Sequence, residues 1–293
     1  MNVRPEPSTF SSIRVRRLTP QLGAEVSGID LSQELGHHVV AELRAAILRY
    51  KVIVIRDQDI TTAQHVAFSR RLGRPDIHPS APADQPFPEV LYLRNGPDSK
   101  APADMWHTDG SWRAEPSWAT ILRAKTLPET GGDTLFADMG AAYESLSPAL
   151  KGWLATLTGV HDISLGFAGK GAMSREELTA KFPTQEHPVI VTHPETGERL
   201  LYVNFAFASS IKDLSQEESD WLLRHLFAQA TVPEFQFRLH WEPNTVAIWD
   251  NWSVQHYANF DYHPAIREME RVAVANDLSF HQTAVGRFIE ERG

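Results

Sequence analysis

At 293 residues, with 42% hydrophobic and 22% charged side chains, the chain has an ordinary globular composition near the ~250–300-residue ceiling of a single core. A formal net charge of −9 excludes general affinity for nucleic acid or an anionic membrane surface, though not a local basic pocket. The lack of cysteine excludes disulfides, thiolate chemistry and cysteine-ligated zinc or iron–sulfur sites.

In chain order, residues 1–12 read as a disordered, Pro-containing lead without the apolar core of a secretory signal. Residues 13–293 read as one domain, with no internal repeat and no linker. A first strand begins at Ile13–Val15, and Ala24–Leu31 alternates before a turn. Val39–Tyr50 carries apolar residues at helical spacing (Val40, Leu43, Ile47, Leu48) and predicts an amphipathic helix. Val52–Ile55 is a β-branched run suited to a strand buried on both faces. Thr61 or Thr62 caps a second helix that ends at Leu72 before Gly73.

Residues 74–103 predict a long ordered loop interrupted by a short strand at Val90–Leu93. Ala119–Ala124 is a strand, and Gly131–Phe136 a turn entering another. Ala141–Leu157 is helical. Residues 159–184, rich in glycine and charge, are the candidate lid. His187–Thr192 and Leu200–Asn204 form a hairpin across a turn at Pro194–Glu198. Ser215 opens a helix with Glu217 and Glu218 in its first turn, where they suit the dipole. The remainder alternates through Phe235–Trp241, Thr245–Trp249 and Arg271–Ala275. Many short strands with few helices between them point to a mostly β fold with flanking α-helices, a double-stranded β-helix or jelly roll. No run of about 18 apolar residues offers a transmembrane helix. A cytoplasmic protein without membrane or nucleic-acid partners is therefore expected, with a homo-oligomer compatible.

His107 and Asp109 stand two apart in Trp106-His107-Thr108-Asp109. On an extended strand these positions share a face, so imidazole and carboxylate converge on one point. A third ligand, for which His256 is the candidate, would complete a 2-His-1-carboxylate face with open positions, the geometry of non-haem Fe(II). If Arg267–Ala275 is a strand, Arg267, Met269, Arg271 and Ala273 share a face. Two inward arginines ask for anionic partners, because a guanidinium fork matches a carboxylate or sulfonate. His37, His38, His65 and His225 read as solvated surface, whereas His161, His187, His193 and His240 read as core or rim. Trp106, beside a ligand, is a candidate wall residue.

The run Trp-His-Thr-Asp at 106–109, Gly-Gly-Asp-Thr at 131–134, and Ile-Trp-Asp-Asn at 248–251 with His256-Tyr257-Ala258-Asn259 strongly resembles the TauD/TfdA family of Fe(II)- and 2-oxoglutarate-dependent dioxygenases. The likeness runs from Leu22-Gly23-Ala24 to Arg271, with the motifs in family order, and is strongest to the taurine dioxygenase branch. It implies Fe(II), 2-oxoglutarate and O2 as cofactor and co-substrates, with His107, Asp109 and His256 as the metal ligands. It implies that Arg267 and Thr134 hold the distal carboxylate of 2-oxoglutarate, and that Arg271 faces the substrate anion or the carboxylate end near iron. His78 and Phe207 match substrate-contacting positions. At three positions that serve the amine end of taurine in that branch, this chain has Ala81, Ala103 and Ile163. The resemblance therefore implies a larger, more apolar pocket for a small organic anion: sulfonate, sulfate ester, phosphonate or carboxylate. The alternatives are a zinc hydrolase, which leaves the second arginine and the Gly-Gly-Asp-Thr turn without a role, and a metal-binding jelly-roll module without oxygenase activity, against which the intact triad speaks.

Overall fold

The computed structural model describes residues 10–78, 84–98, 104–168 and 173–276. Two facing sheets form the jelly roll. The larger runs, edge to edge, through Arg14–Arg17, Ala24–Ser27, Val52–Ile55, Val246–Asp250, Ala119–Thr126 and Arg267–Val274. Val90–Asn95 and Pro75–Asp76 both pair with the free side of Arg267–Val274. The smaller sheet consists of Gln236–Leu239, Thr134–Asp138 and Val254–Ala258. Outside it lie a three-stranded sheet (Thr158–His161, Gln185–Pro188, Ala208–Ile211) and a hairpin of Ile190–Thr192 with Arg199–Leu201.

The central strands are apolar on both sides because both sides are covered. Val52 and Val54 point between the sheets, packing with Leu122, Phe136, Phe237, Trp249 and Met269. Ile53 and Ile55 point outward, packing with Ile121 and Ile248 beneath Leu43, Ala46 and Ile47 of the His37–Tyr50 helix and Phe68 of Thr62–Leu72. The second helix starts in a capping box in which Thr61 and Gln64 satisfy each other's backbone amides.

Several expected elements differ in detail. The helix expected over Ala141–Leu157 is two helices, Met139–Ser145 and Pro148–Leu154, because Ser147 caps a new start and Pro148 has no amide to continue the old one. The strand expected over His187–Thr192 is two strands in different sheets. The Ala208–Ile211 strand, too short and polar to stand out, was missed by pattern alone. Of the expected lead, residues 1–9 lie outside the described residues, while the amides of Ser11 and Ser12 donate to Glu42. The candidate lid at 159–184 contains the end of a strand and two short helices, Ile163–Phe167 and Arg175–Lys181, with residues 169–172 outside the described set. His65, expected at the surface, is fully buried beside Glu270, because that face of its helix lies against the large sheet.

Candidate active site

His107 and Asp109 do not share an extended strand. His107 makes an isolated antiparallel bridge with His256, its amide donating to the His256 carbonyl at 3.0 Å and its carbonyl accepting from the His256 amide at 2.8 Å. The chain then turns, so that convergence comes from a turn rather than from strand alternation. His256 itself lies in the middle of Val254–Ala258, paired with Phe136. The two imidazole centroids are 4.1 Å apart. Ligand atoms of His107, Asp109 and His256 lie within 4.8 Å of one another, and among the described residues no other group of three is placed to hold a metal ion.

His107 Nδ1 donates to the Met105 carbonyl at 2.9 Å, which orients the ring so that Nε2 lies 3.8 Å from Asp109 Oδ1. Burial holds His256 neutral, far below the ordinary histidine range, with His107 and Arg271 adding to the effect. Burial alone would raise Asp109, but Arg271 above all, then the two imidazoles and the Thr120 hydroxyl, hold it well below the usual carboxylate range. Two imidazoles and a carboxylate are a donor set for non-haem iron, and they leave part of its coordination sphere open.

These residues border a cavity of about 330 Å³. Thr134, Arg267, Arg271, His78 and Phe207 line it, as the sequence led us to expect. Ile163 does not. It packs behind Phe207 in a cluster with Trp112, Leu178 and Ala206, so it backs the wall without facing the cavity. Ala81 and Ala103 lie outside the described residues. Trp106 is also off the wall and packs on Tyr257.

Arg267 and Arg271 share the inward face of Arg267–Val274, with Met269 buried between them. Arg271 Nη2 lies 3.1 Å from Asp109 Oδ2. Arg267 is 5% exposed, and its Nε and Nη2 are buried without hydrogen-bond partners among the described residues, an arrangement that calls for an anion. Burial draws its pKa below the usual arginine value. The Gly-Gly-Asp-Thr turn presses against it: a Cβ on Gly132 would stand 3.1 Å from Arg267 Cδ, and the residue has φ +72°. Asp133 holds the turn through Arg238 and His240, and Thr134 Oγ1 accepts from Trp241 Nε1 at 3.0 Å, leaving its own proton to donate.

The sequence reading missed a second polar group on the wall. Arg113 Nη1 donates to Asp76 Oδ1 at 3.0 Å, and Ser117 donates to Asp76 Oδ2 at 2.9 Å. His78 lies close enough to both Arg271 and Arg113 that burial first, and then those two charges, push its pKa down to about 3. Glu89 lines the cavity too, paired with Arg70. The rest of the wall is largely apolar, including Leu91, Leu93, Leu122, Phe167 and Phe207.

Comparison with known proteins agrees with this geometry. The family model described as "Taurine catabolism dioxygenase TauD, TfdA family" matches residues 14–273. An alkylsulfatase of Acinetobacter baylyi is 35% identical over 277 residues, covering 91% of this chain and 86% of its own. An alpha-ketoglutarate-dependent sulfate ester dioxygenase of Pseudomonas putida is 33% identical, covering 90% of each. The crystal structure of a taurine dioxygenase from Burkholderia xenovorans superposes with a TM-score of 0.79 at 38% identity, covering 92% of each chain.

Proposed function

The chain belongs to the TauD/TfdA family and is an Fe(II)- and 2-oxoglutarate-dependent dioxygenase, and we propose that it oxidises a C–H bond of a small organic anion whose tail is uncharged and apolar. Sulfate esters, sulfonates and carboxylates fit best, with succinate and CO2 released from 2-oxoglutarate. The observation that carries this reading is the cavity itself: a ligand triad, two arginines on one strand face, and a largely apolar remainder in which the further carboxylates, Asp76 and Glu89, are each paired with an arginine.

On this reading His107, Asp109 and His256 hold the iron, which supplies the activation of O2 when bound. The unpartnered donors of Arg267, with the Thr134 hydroxyl, bind the distal carboxylate of 2-oxoglutarate and fix its orientation. Arg271 offers its guanidinium to the substrate anion, with His78 beside it. The apolar wall excludes water and keeps the tail over the metal. Segment 159–184 contributes Phe167 to that wall, which supports its reading as a lid. No helix among the described residues is long and apolar enough to cross a membrane, and a cytoplasmic location fits a cysteine-free chain.

An ammonium tail is disfavoured on the wall as described. The two further carboxylates that line the cavity, Asp76 and Glu89, are each already held by an arginine. An ammonium without a partner would cost several kcal/mol, whereas each buried methylene contributes about 0.8 kcal/mol. Coupled succinate formation should therefore be faster, in kcat/KM, with alkyl or aryl sulfates, sulfonates or carboxylates than with taurine. A panel of such anions under matched conditions is the test; taurine giving the highest value would sink the apolar-tail reading and leave the iron site intact.

A further inference from the structure

The two oxygens of Asp109 have different surroundings. Oδ2 accepts from the Thr120 hydroxyl at 2.8 Å and lies 3.1 Å from Arg271 Nη2. Oδ1 is the oxygen near His107 Nε2. Thr120 is fully buried on Ala119–Thr126, whose Ala119, Ile121, Leu122 and Ala124 are apolar, so a hydroxyl there needs a partner. Behind it, Asn251 Nδ2 donates to Thr120 Oγ1 at 3.0 Å. The backbone N–H of Asn251 donates to the Trp118 carbonyl at 2.8 Å, and Thr120 and Trp249 are paired across the sheet. Thr120 has one proton. The charge-assisted bond to a carboxylate at 2.8 Å outcompetes the 3.4 Å alternative to Asn251 Oδ1, so the relay runs in one direction, from Asn251 through Thr120 to Asp109.

We infer that Thr120, backed by Asn251, is a positioning residue that commits Asp109 Oδ2 to the protein and leaves Oδ1 to bind the metal through a single oxygen. This goes beyond the assignment of His107, Asp109 and His256 as ligands, and rests on it. A carboxylate free to turn would chelate through both oxygens and take up a position that a co-substrate needs. On the proposed function Arg271 shares its guanidinium between Oδ2 and the substrate anion, so its hold on Oδ2 changes when the anion binds. Thr120 is buried behind the carboxylate, out of that competition, and keeps hold of Oδ2 when an anion draws Arg271 away.

The test is metal affinity rather than turnover. Apo protein is titrated with Mn(II), the free ion being read by electron paramagnetic resonance, with and without 2-oxoglutarate. Thr120→Val keeps the volume and removes the hydroxyl; it should weaken Mn(II) binding about 10- to 100-fold, the range for losing a group that orients a ligand. Thr120→Ser restores the hydroxyl and should bind within about threefold of the parent. Asn251→Ala, which leaves the hydroxyl without its anchor, should show a smaller loss than the valine variant, and it provides the reading should the valine variant fail to fold. Valine or Asn251 variants that melt at a lower temperature but bind Mn(II) like the parent would make the relay merely structural and overturn the inference. Asp109→Ala separates the two levels: if it binds Mn(II) like the parent, the ligand assignment itself fails, whereas its loss of binding beside an unaffected Thr120→Val refutes only the role of Thr120.

Discussion

Arg267 has buried donors and, among the described residues, no acid to take them, a costly state that an incoming anion relieves. Truncation should therefore be felt by one reactant. Arg267→Ala should raise the KM for 2-oxoglutarate by roughly 30-fold or more, since a lost charge pair in a dry site costs about 2–5 kcal/mol. The KM of the organic substrate should move far less; steady-state kinetics with each reactant varied would show it, and equal rises would mean that the arginine roles are wrongly assigned. At this scale much of the site was legible in the sequence. His107, Asp109, His256 and both arginines are the residue types that iron and anions require, set in motifs that fall in family order. What was not legible is the company they keep. Thr120, Asn251 and the Arg113–Asp76 pair look like ordinary strand or loop polar residues, and only the fold brings Asp76 to Arg113 or Asn251 to Thr120. A hydroxyl in the otherwise apolar Ala119–Ile121 run was the one local signal available.

Among the elements, the Gly131–Thr134 turn ties the smaller sheet to the arginine strand of the larger one. Its role depends on Gly132, whose φ of +72° lies in the region that favours glycine and whose missing Cβ makes room for Arg267. Gly132→Ala should cost about 1–2 kcal/mol in backbone strain. It should also displace the Arg267 side chain. Calorimetry should show a melting temperature lower by a few degrees, and kinetics a severalfold higher KM for 2-oxoglutarate. A loss of stability with that KM unchanged would detach the turn from co-substrate binding. Strand and helix periodicities gave most elements correctly, and they failed where local chemistry or tertiary context overrode them. Pro148 divided one helix into two. The His107 bridge replaced the strand on which convergence was expected, since two backbone bonds to a neighbour do not show in alternation.

For the molecule as a whole, burial of histidines sets an acid limit. His65 and His161 are fully buried, and burial lowers both below the ordinary value of 6.5. The unfolded chain then takes up protons that the folded one refuses, so stability falls as pH drops below about 6.5. Glu270 extends the window. Burial opposes its ionisation, but the neighbouring His65 imidazole, the hydrogen bond from the Thr62 hydroxyl and the Arg123 charge hold it to about 2, against an ordinary 4.5. Its contribution is complete above 4.5 and is lost as pH falls toward 2. Denaturant midpoints of the apo protein should be level above pH 6.5 and decline steadily beneath it; no change between pH 6.5 and 5 would contradict this. The place of Arg267–Val274 in the large sheet carries a consequence for how the protein is made. That strand is the last of the described strands in chain order, yet it sits between Ala119–Thr126 on one side and Val90–Asn95 and Pro75–Asp76 on the other. Until it leaves the ribosome, its future neighbours have open edges and the inter-sheet core lacks Met269. The nascent chain must therefore wait, exposed to aggregation, for the same strand that brings both arginines, so closure of the sheet and completion of the anion site arrive together.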